Sequence, residues 1–362
     1  MNYLDSILLL GIDRLNGERT TSGLYHLFNG KKSSQTIQDG RLFDLSHLFG
    51  ILKRYSYHDF QEKMTELHNN GLIETDDGTY ARLSESGRIK LHEQLERQPL
   101  PPFLNGWRYG DLSIIFWRRL TLFVQTLSHI LHEDHQFHPI QNDPDTLQWV
   151  KHFFPRDKKS RTKASSLLFK ELMTLLCRME DTDAENVVLR LTRSGRIGQT
   201  TLQVAERLKF DPMVCHVRFQ AALHFMVDRI LEGQKSYPVL YAFLADMKQS
   251  HALTESTRKT YQLINKGLQL EEVATIRKLK PSTIEDHIVE LAIHVPGMDI
   301  DRYIPAADQM RILEVSRILR TKRLKEIKQE LDEAFDYFQI RLTLAKHAVG
   351  HPHNKGGIGI VD

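Results

Sequence analysis

The stretch LTESTRKTYQLINKGLQLEEVATIRKLKPSTIEDHIVELAI, residues 253–293, predicts three consecutive helices. Thr254 can cap the first helix, because its hydroxyl can accept a hydrogen bond from a backbone N–H that has no partner inside the helix. Residues 270–277 form the second helix, with the small Ala274 where two helices cross. Pro281 begins the third helix, since proline lacks the N–H that a helix start leaves unused. This order is typical of a helix-turn-helix.

The third predicted helix has a buried face and an exposed start. Its spacing of three and four places one set of residues inward: Ile284, His287 or Ile288, and Leu291. Ser282 and Thr283 lie near its exposed N-terminal end, where a recognition helix meets DNA.

Basic residues flank the motif and continue through residues 302–328. Lys and Arg side chains bind phosphates with a strong dependence on salt and a weak dependence on sequence. For the segment 320–328, the alternative is a solvated face of one long helix. The candidate DNA-binding residues are Lys278, Lys280, Ser282, Thr283, Arg317, Arg320, Lys322, Arg323, Lys325 and Lys328.

Most of the remaining sequence has helical periodicity, with one hairpin signal near residue 76. Residues 57–71 form a helix with a glycine stop, and residues 72–74 and 79–83 alternate like strands around an Asp-Gly turn. A further helix begins after residue 84. Helix, glycine stop, hairpin and helix together indicate a winged helix. We therefore expect a mainly α, multi-domain protein with a short β-hairpin wing.

Breaks in the pattern predict the domain boundaries. Three of the four residues 99–102 are prolines, which cannot continue a helix. A softer break lies near residue 250, and the glycine-rich end has the composition of a flexible tail. The predicted parts are a winged-helix domain at 1–98, a helical middle domain at 99–250, a helix-turn-helix domain at 251–347 and a flexible tail at 348–362.

The middle domain contains a second helix-turn-helix candidate at residues 200–222. Ala205 is the small residue at the crossing, and Asp211 before Pro212 is a good start for the second helix. That helix would show His216, Arg218 and Gln220 among its polar positions. An ordinary helical hairpin has the same pattern, so both interpretations remain open.

Composition and motifs exclude several classes of protein. The 49 Lys and Arg nearly cancel 46 Asp and Glu, although residues 151–163 hold six basic residues against one acid. No apolar run reaches the length of a membrane span, and two cysteines cannot form a four-cysteine zinc site. Neither a G-x-x-x-x-G-K-[ST] phosphate loop nor a G-x-S-x-G elbow occurs. We expect no enzyme activity, no cofactor and a cytoplasmic location, where association with the nucleoid is an option.

Four histidines recur every three residues, at positions 129, 132, 135 and 138. On a helix each step of three turns the side chain back by about 60°, so the first and last would face opposite sides. We therefore predict no metal site from this cluster. Solvated or partner-facing histidines are the better interpretation, and the role of the cluster stays open.

Two parts of the chain resemble accessory parts of RecQ-family helicases. Residues 20–91 resemble the winged helix of the RQC domain, through LYHLFNGKKS at 24–33, HLFG at 47–50, NGLI at 70–73 and LSESG at 83–87. The zinc-binding cysteines of RecQ are absent, and Asp76 and Asp77 at the wing tip would repel phosphates. Residues 254–346 resemble the helix-turn-helix module at the C-termini of bacterial RecQ helicases.

Taken whole, the chain resembles the YpbB family of Firmicutes, which pairs these two parts without a motor. The resemblance implies a non-enzymatic DNA-associated accessory factor that partners a short RecQ-type helicase in DNA repair or recombination. One alternative is a protein-interaction subunit that never touches DNA, which the acids Glu285, Asp286 and Glu290 favour. Another alternative is a helix-turn-helix transcription regulator with a preferred duplex site.

Overall fold

The computed structural model describes residues 2–75, 77–247 and 253–348, and the chain is mainly α-helical, as predicted. No helix within these ranges combines the length and apolar character needed to cross a bilayer. The helices are α1 (Tyr3–Leu15), α2 (Thr21–Asn29), α3 (Ser34–Leu42), α4 (Tyr57–Asn69), α5 (Glu85–Arg97), α6 (Gly106–Leu131), α7 (Pro144–Phe153), α8 (Lys158–Leu176), α9 (Asp181–Val188), α10 (Thr201–Leu208), α11 (Pro212–Glu232), α12 (Pro238–Ala242), α13 (Glu255–Ile264), α14 (Leu270–Arg277), α15 (Pro281–His294), α16 (Ala306–Leu319), α17 (Leu324–Glu330) and α18 (Tyr337–His347).

The chain divides into two compact units. Unit 1 comprises Met1–Ser6 with Leu95–Gln249, and unit 2 comprises Ile7–Gln94 with Ser250–Asp362. The winged-helix segment and the C-terminal helix-turn-helix therefore belong to one unit, a pairing that no sequence pattern indicated. The predicted break near residue 250 and all but the first residue of the predicted tail lie outside the described residues.

The predicted order of helix, hairpin and helix is confirmed in the N-terminal part of unit 2. The Ser56 hydroxyl accepts a hydrogen bond of 3.0 Å from the N–H of Asp59 and so caps α4. Two short strands, β1 (Ile73–Glu74) and β2 (Arg82–Leu83), pair antiparallel. The second strand is shorter than predicted, because Tyr80 forms a bridge with Thr20 instead.

Close packing explains the glycine that follows this hairpin. A Cβ on Gly87 would lie 1.9 Å from the carbonyl oxygen of Leu72. Real contacts of that length do not occur, so only glycine lets α5 approach Leu72, the residue before β1, this closely. The LSESG sequence at 83–87 therefore marks a packing requirement of the winged helix.

Unit 1 is built around α6 and α11, its two longest helices, which pack against each other. Phe116 and Phe123 of α6 meet Met226 and Ile230 of α11 in a common core, where each is at most 1% exposed. Arg119 anchors the end of the unit, because its guanidinium binds both carboxylate oxygens of Asp246 at 2.6 and 2.8 Å. This two-point geometry makes the pair stronger than a single contact.

Candidate nucleic-acid interface

The turn between α14 and α15 consists of Lys278, Leu279 and Lys280. Lys278 adopts a left-handed conformation, with φ 52° and ψ 43°, and its N–H donates to the carbonyls of Ala274 and Thr275. The next helix then begins with a proline, as its sequence predicts. The three-helix order is therefore confirmed, and both lysines of the turn are exposed.

Apolar residues of α15 form the centre of unit 2. Ile284, Ile288 and Leu291 are all 0% exposed, and His287 is also buried. The predicted inward face is therefore confirmed.

A polar network joins the three helices of the motif. The guanidinium of Arg277 donates to the Ser256 carbonyl and to the Thr260 hydroxyl, both at 2.7 Å. The same hydroxyl lies 2.8 Å from Nδ1 of His287. Burial, with a smaller effect of the Arg277 charge, lowers the pKa of His287 below 6.5. The imidazole is therefore neutral at pH 7, and hydrogen bonds link all three helices of the motif.

The acids of α15 are bound inside the unit. Glu290 is buried, and its carboxylate accepts hydrogen bonds from the N–H of Thr254 at 2.5 Å and from the Thr257 hydroxyl at 2.6 Å. Asp286 lies 2.6 Å from the guanidinium of Arg341 on α18, and Glu285 lies 4.0 Å from it. These carboxylates are therefore compensated, and they oppose phosphates less than the sequence suggests.

Most of the third helix is covered by neighbouring helices. Helices α3 and α18 pack against α15 in addition to α13 and α14. Val289 is 0% exposed and Ala292 5% exposed, at positions where a DNA-reading helix would present side chains. The start of the helix remains open, with Ser282 exposed and Thr283, Glu285 and Asp286 half-buried. A duplex therefore has access to the start of this helix and not to its length.

Half of the ten candidate residues are cations on the surface. Lys278 and Lys280 lie in the turn before α15. Arg317 and Arg320 line one cavity of about 530 Å³ at the end of α16. Lys325 lines a second cavity of about 690 Å³ beside the β-hairpin. All five are exposed, and none forms an ion pair with a carboxylate within the described ranges.

The three remaining candidate cations have partners inside unit 2. Lys322 donates from its ammonium to the carbonyl of Leu42. Arg323 donates to the carbonyl of Gly17 at 2.6 Å. Lys328 pairs with Glu333, whose hydrogen bond raises the pKa of the lysine. These contacts engage side chains that were predicted to bind phosphates.

The segment 320–328 is not the face of one long helix, so that alternative is wrong. Helix α16 ends at Leu319, Arg320 adopts a left-handed conformation with φ 50°, and α17 begins only at Leu324. The carboxylate of Glu18 accepts a hydrogen bond of 2.6 Å from the N–H of Lys322 between them. No proline or glycine marks this break, so the sequence lacked a signal for it.

The second helix-turn-helix candidate has the same turn as the first. Lys209 has φ 57° and ψ 40°, and α11 begins with Pro212 after Asp211. Its side chains differ, however, because Arg218 binds Glu180 and Asp183 at 2.5 and 2.6 Å. That arginine, predicted among the polar positions of the helix, ties α11 to the start of α9.

The histidine cluster lies at and beyond the end of α6, which stops at Leu131. His129 is buried, 2.7 Å from the carboxylate of Asp134 and stacked on Phe137. The prediction that residues 129–138 lie on one helix is therefore wrong, because α6 ends at Leu131. The described part of the chain contains no group of three or more potential metal ligands.

Comparison with known proteins agrees with this geometry. A family model described as a helix-turn-helix domain matches residues 256–344. The chain is similar to "Protein YpbB" of Bacillus subtilis (strain 168), with 38% identity over 348 residues, which covers 96% of this chain and 98% of that protein. No solved structure matches. A helix-turn-helix domain suggests a DNA-associated function.

Proposed function

Because this chain belongs to the YpbB family, we propose that it is a non-enzymatic accessory protein that binds the DNA backbone and partners a RecQ-type helicase in DNA repair or recombination. Lys278, Lys280, Arg317, Arg320 and Lys325 supply the phosphate contacts. The hydroxyls of Ser282 and Thr283 donate to backbone oxygens at the start of α15.

One observation carries the DNA-binding part of this proposal. Five cations of a helix-turn-helix unit are exposed and unpaired within the described ranges. Unpaired surface cations release the counterions of DNA when they meet phosphates, which is the main source of non-specific affinity. The internal pairing of the α15 acids removes the strongest objection to a polyanion at this surface.

The burial of α15 supports backbone binding rather than base reading. Sequence-specific motifs place several residues of the recognition helix against base edges. Here Val289 and Ala292, further along the helix, are buried. We therefore expect weak sequence preference, and we do not favour the transcription-regulator alternative.

The experiment measures the affinity for forked, single-stranded and duplex DNA by fluorescence anisotropy over a range of salt concentrations. Wild type is compared with Arg317→Glu/Arg320→Glu and with Lys278→Glu/Lys280→Glu. For duplex DNA, each lost phosphate contact should reduce the slope of log K against log salt by about 1, so each double variant should lose about 2.

A matched control uses Arg54→Glu/Lys90→Glu, which reverses two exposed cations of the same unit outside the proposed contacts. This control should keep most of the affinity and the salt slope. Equal losses in all three variants would mean that only net charge matters, and unchanged binding in the first two would refute the phosphate contacts.

The helicase part of the proposal rests on the resemblance of residues 20–91 and 254–346 to RecQ accessory parts. It is tested by co-purification of a RecQ-type helicase from native cytoplasm, followed by unwinding assays with and without this chain. We expect faster or more extensive unwinding when the chain is present. Unchanged unwinding and no co-purification would remove the helicase from the proposal.

The covering of α15 also favours a second candidate, a helicase-binding subunit that makes no DNA contact. Helices α3 and α18 pack on the third helix. A third helix covered in this way also fits a structural role without DNA contact. Recovery of the helicase together with no anisotropy change on any DNA would select this candidate.

A further inference from the structure

Helix α8 in unit 1 carries exposed apolar side chains beside two exposed lysines. Phe169 is 67% exposed and Met173 is 42% exposed, and residues four apart are neighbours on a helix. Lys163 and Lys170, both exposed, run along the adjacent line of the helix. We call Lys163, Phe169, Lys170 and Met173 the α8 face.

The α8 face has no acid of its own. The single carboxylate of α8, Glu171, points inward and accepts hydrogen bonds from the N–H groups of Val239 and Leu240 at 3.0 and 2.9 Å. It therefore caps α12 and is unavailable to the surface lysines. Neither Lys163 nor Lys170 forms an ion pair in the part of the chain that the structure describes.

The packing of unit 1 does not explain why these apolar side chains are exposed. The opposite side of α8 already packs into the core through Leu168 and Leu175, which are 4% and 0% exposed. A large aromatic side chain left two-thirds in water forgoes most of the stabilisation that its burial would contribute. Exposed apolar patches rimmed by polar residues are typical of interaction sites.

We propose that the α8 face binds an acidic, amphipathic helix of a partner protein. Apolar residues of that helix pack on Phe169 and Met173, and its carboxylates pair with Lys163 and Lys170. Charge complementarity identifies the partner, because the face presents cations without acids. The inference goes beyond the proposed DNA contacts and does not depend on them, since those residues belong to unit 2.

Two other polyanions fit the observations less well. DNA phosphates would pair with the lysines, but they offer no apolar surface for Phe169 and Met173. An anionic membrane would reward apolar burial, but interfacial helices have a broad apolar face with Trp, Phe or Leu. Leu167 of the same helix is also 38% exposed, but Lys163 and Lys170 lie between it and Phe169 around the helix. The exposed apolar residues therefore form no broad face, which suits a single helix.

The experiment uses the full-length protein and a fluorescent synthetic peptide as long as α8. The peptide carries Leu at alternating spacings of three and four and Glu at the flanking positions. A second peptide has Gln in place of every Glu. Anisotropy should show binding of the acidic peptide and at least about tenfold weaker binding of the Gln peptide, a difference of about 1.4 kcal/mol.

Substitutions locate the binding surface. Phe169→Ser and Met173→Ser should each weaken binding about tenfold or more, and Lys163→Glu/Lys170→Glu should abolish it. Leu202→Ser, at another residue that is 68% exposed, and Lys209→Glu/Lys235→Glu, at exposed lysines, are the matched controls and should bind normally.

Three results would overturn the proposal. The first is no binding of the acidic peptide by the wild type. The second is equal weakening in the control variants. The third is binding of the wild type to phosphatidylglycerol vesicles or duplex DNA through Phe169 and Lys163, without binding of the peptide. Circular dichroism of every variant checks that the fold is retained. We expect it to be retained, because all these side chains lie on the surface.

Discussion

The ammonium of Lys322 donates a hydrogen bond to the carbonyl oxygen of Leu42, 280 positions earlier in the chain. The same ammonium lies 4.7 Å from the centre of the Phe43 ring. Burial lowers the pKa of the lysine, which is the expected effect of removing an ammonium from water. Lys322, which was predicted to bind DNA, thus links the turn after α16 to the end of α3.

Lys322→Met should destabilise the protein without weakening DNA binding. The substitution keeps much of the apolar stem, but it removes a charge-assisted hydrogen bond and a cation–π contact. We expect the free energy of unfolding to fall by about 1–3 kcal/mol, measured by urea denaturation. DNA affinity should stay within twofold of wild type under conditions where both proteins are folded. A loss as large as that of Arg317→Glu/Arg320→Glu would return Lys322 to the DNA contacts.

Glu290→Gln should change how stability depends on pH. Burial raises the pKa of Glu290 above its ordinary 4.5, so its contribution to stability is fully present below pH 4.5 and is lost as pH rises through the folded value. Gln does not titrate and still offers an acceptor to the N–H of Thr254. The stability of the variant relative to wild type should therefore increase from pH 4 to pH 7, as followed by urea denaturation. A difference that is constant with pH would contradict the raised pKa.

Local signals explain why the helices of the motif were predictable. Thr254 as a cap, Pro281 at a helix start and Gly71 after α4 each act within a few residues. Their effect depends on backbone chemistry near them and not on the rest of the fold. The order of elements in both the winged helix and the helix-turn-helix followed from such signals.

The exposure and the ion pairing of the candidate residues depend on long-range packing. They were therefore only partly predictable. Lys322 and Lys325 belong to the same basic segment, yet one contacts Leu42 and the other is exposed. Asp286 looked like an acid facing DNA, whereas Arg341 compensates it from another helix. A single sequence shows the charge of each residue but not which distant group lies beside it.

Arg341→Met should weaken DNA binding through the acids that it leaves behind. The guanidinium of Arg341 lies 2.6 Å from Asp286 and near Glu285, close to the start of α15. Without it, two uncompensated carboxylates would repel phosphates. We expect a three- to tenfold loss of affinity at low salt, which corresponds to about 0.7–1.4 kcal/mol.

Asp286→Asn in the Arg341→Met background gives the control for this effect. Removal of one carboxylate should recover part of the affinity, and the two substitutions should be non-additive, as expected for residues in contact. Strict additivity of the two effects in anisotropy titrations would show that the ion pair does not act on DNA binding.

Ala274→Leu should impair both stability and DNA binding, whereas Ala205→Leu should impair stability alone. Ala274 in the C-terminal motif is 5% exposed and Ala205 in the second helix-turn-helix candidate is 1% exposed, and small residues at such buried positions let helices approach. The extra methyl groups would force the helices apart at a cost of about 1–3 kcal/mol. In the C-terminal motif this displacement would move Lys278 and Lys280, so the affinity for DNA should fall as well. In the middle motif no proposed phosphate contact moves, so anisotropy should detect unchanged affinity at temperatures below unfolding. Equal losses of DNA binding in the two variants would mean that the turn before α15 does not position the contacts.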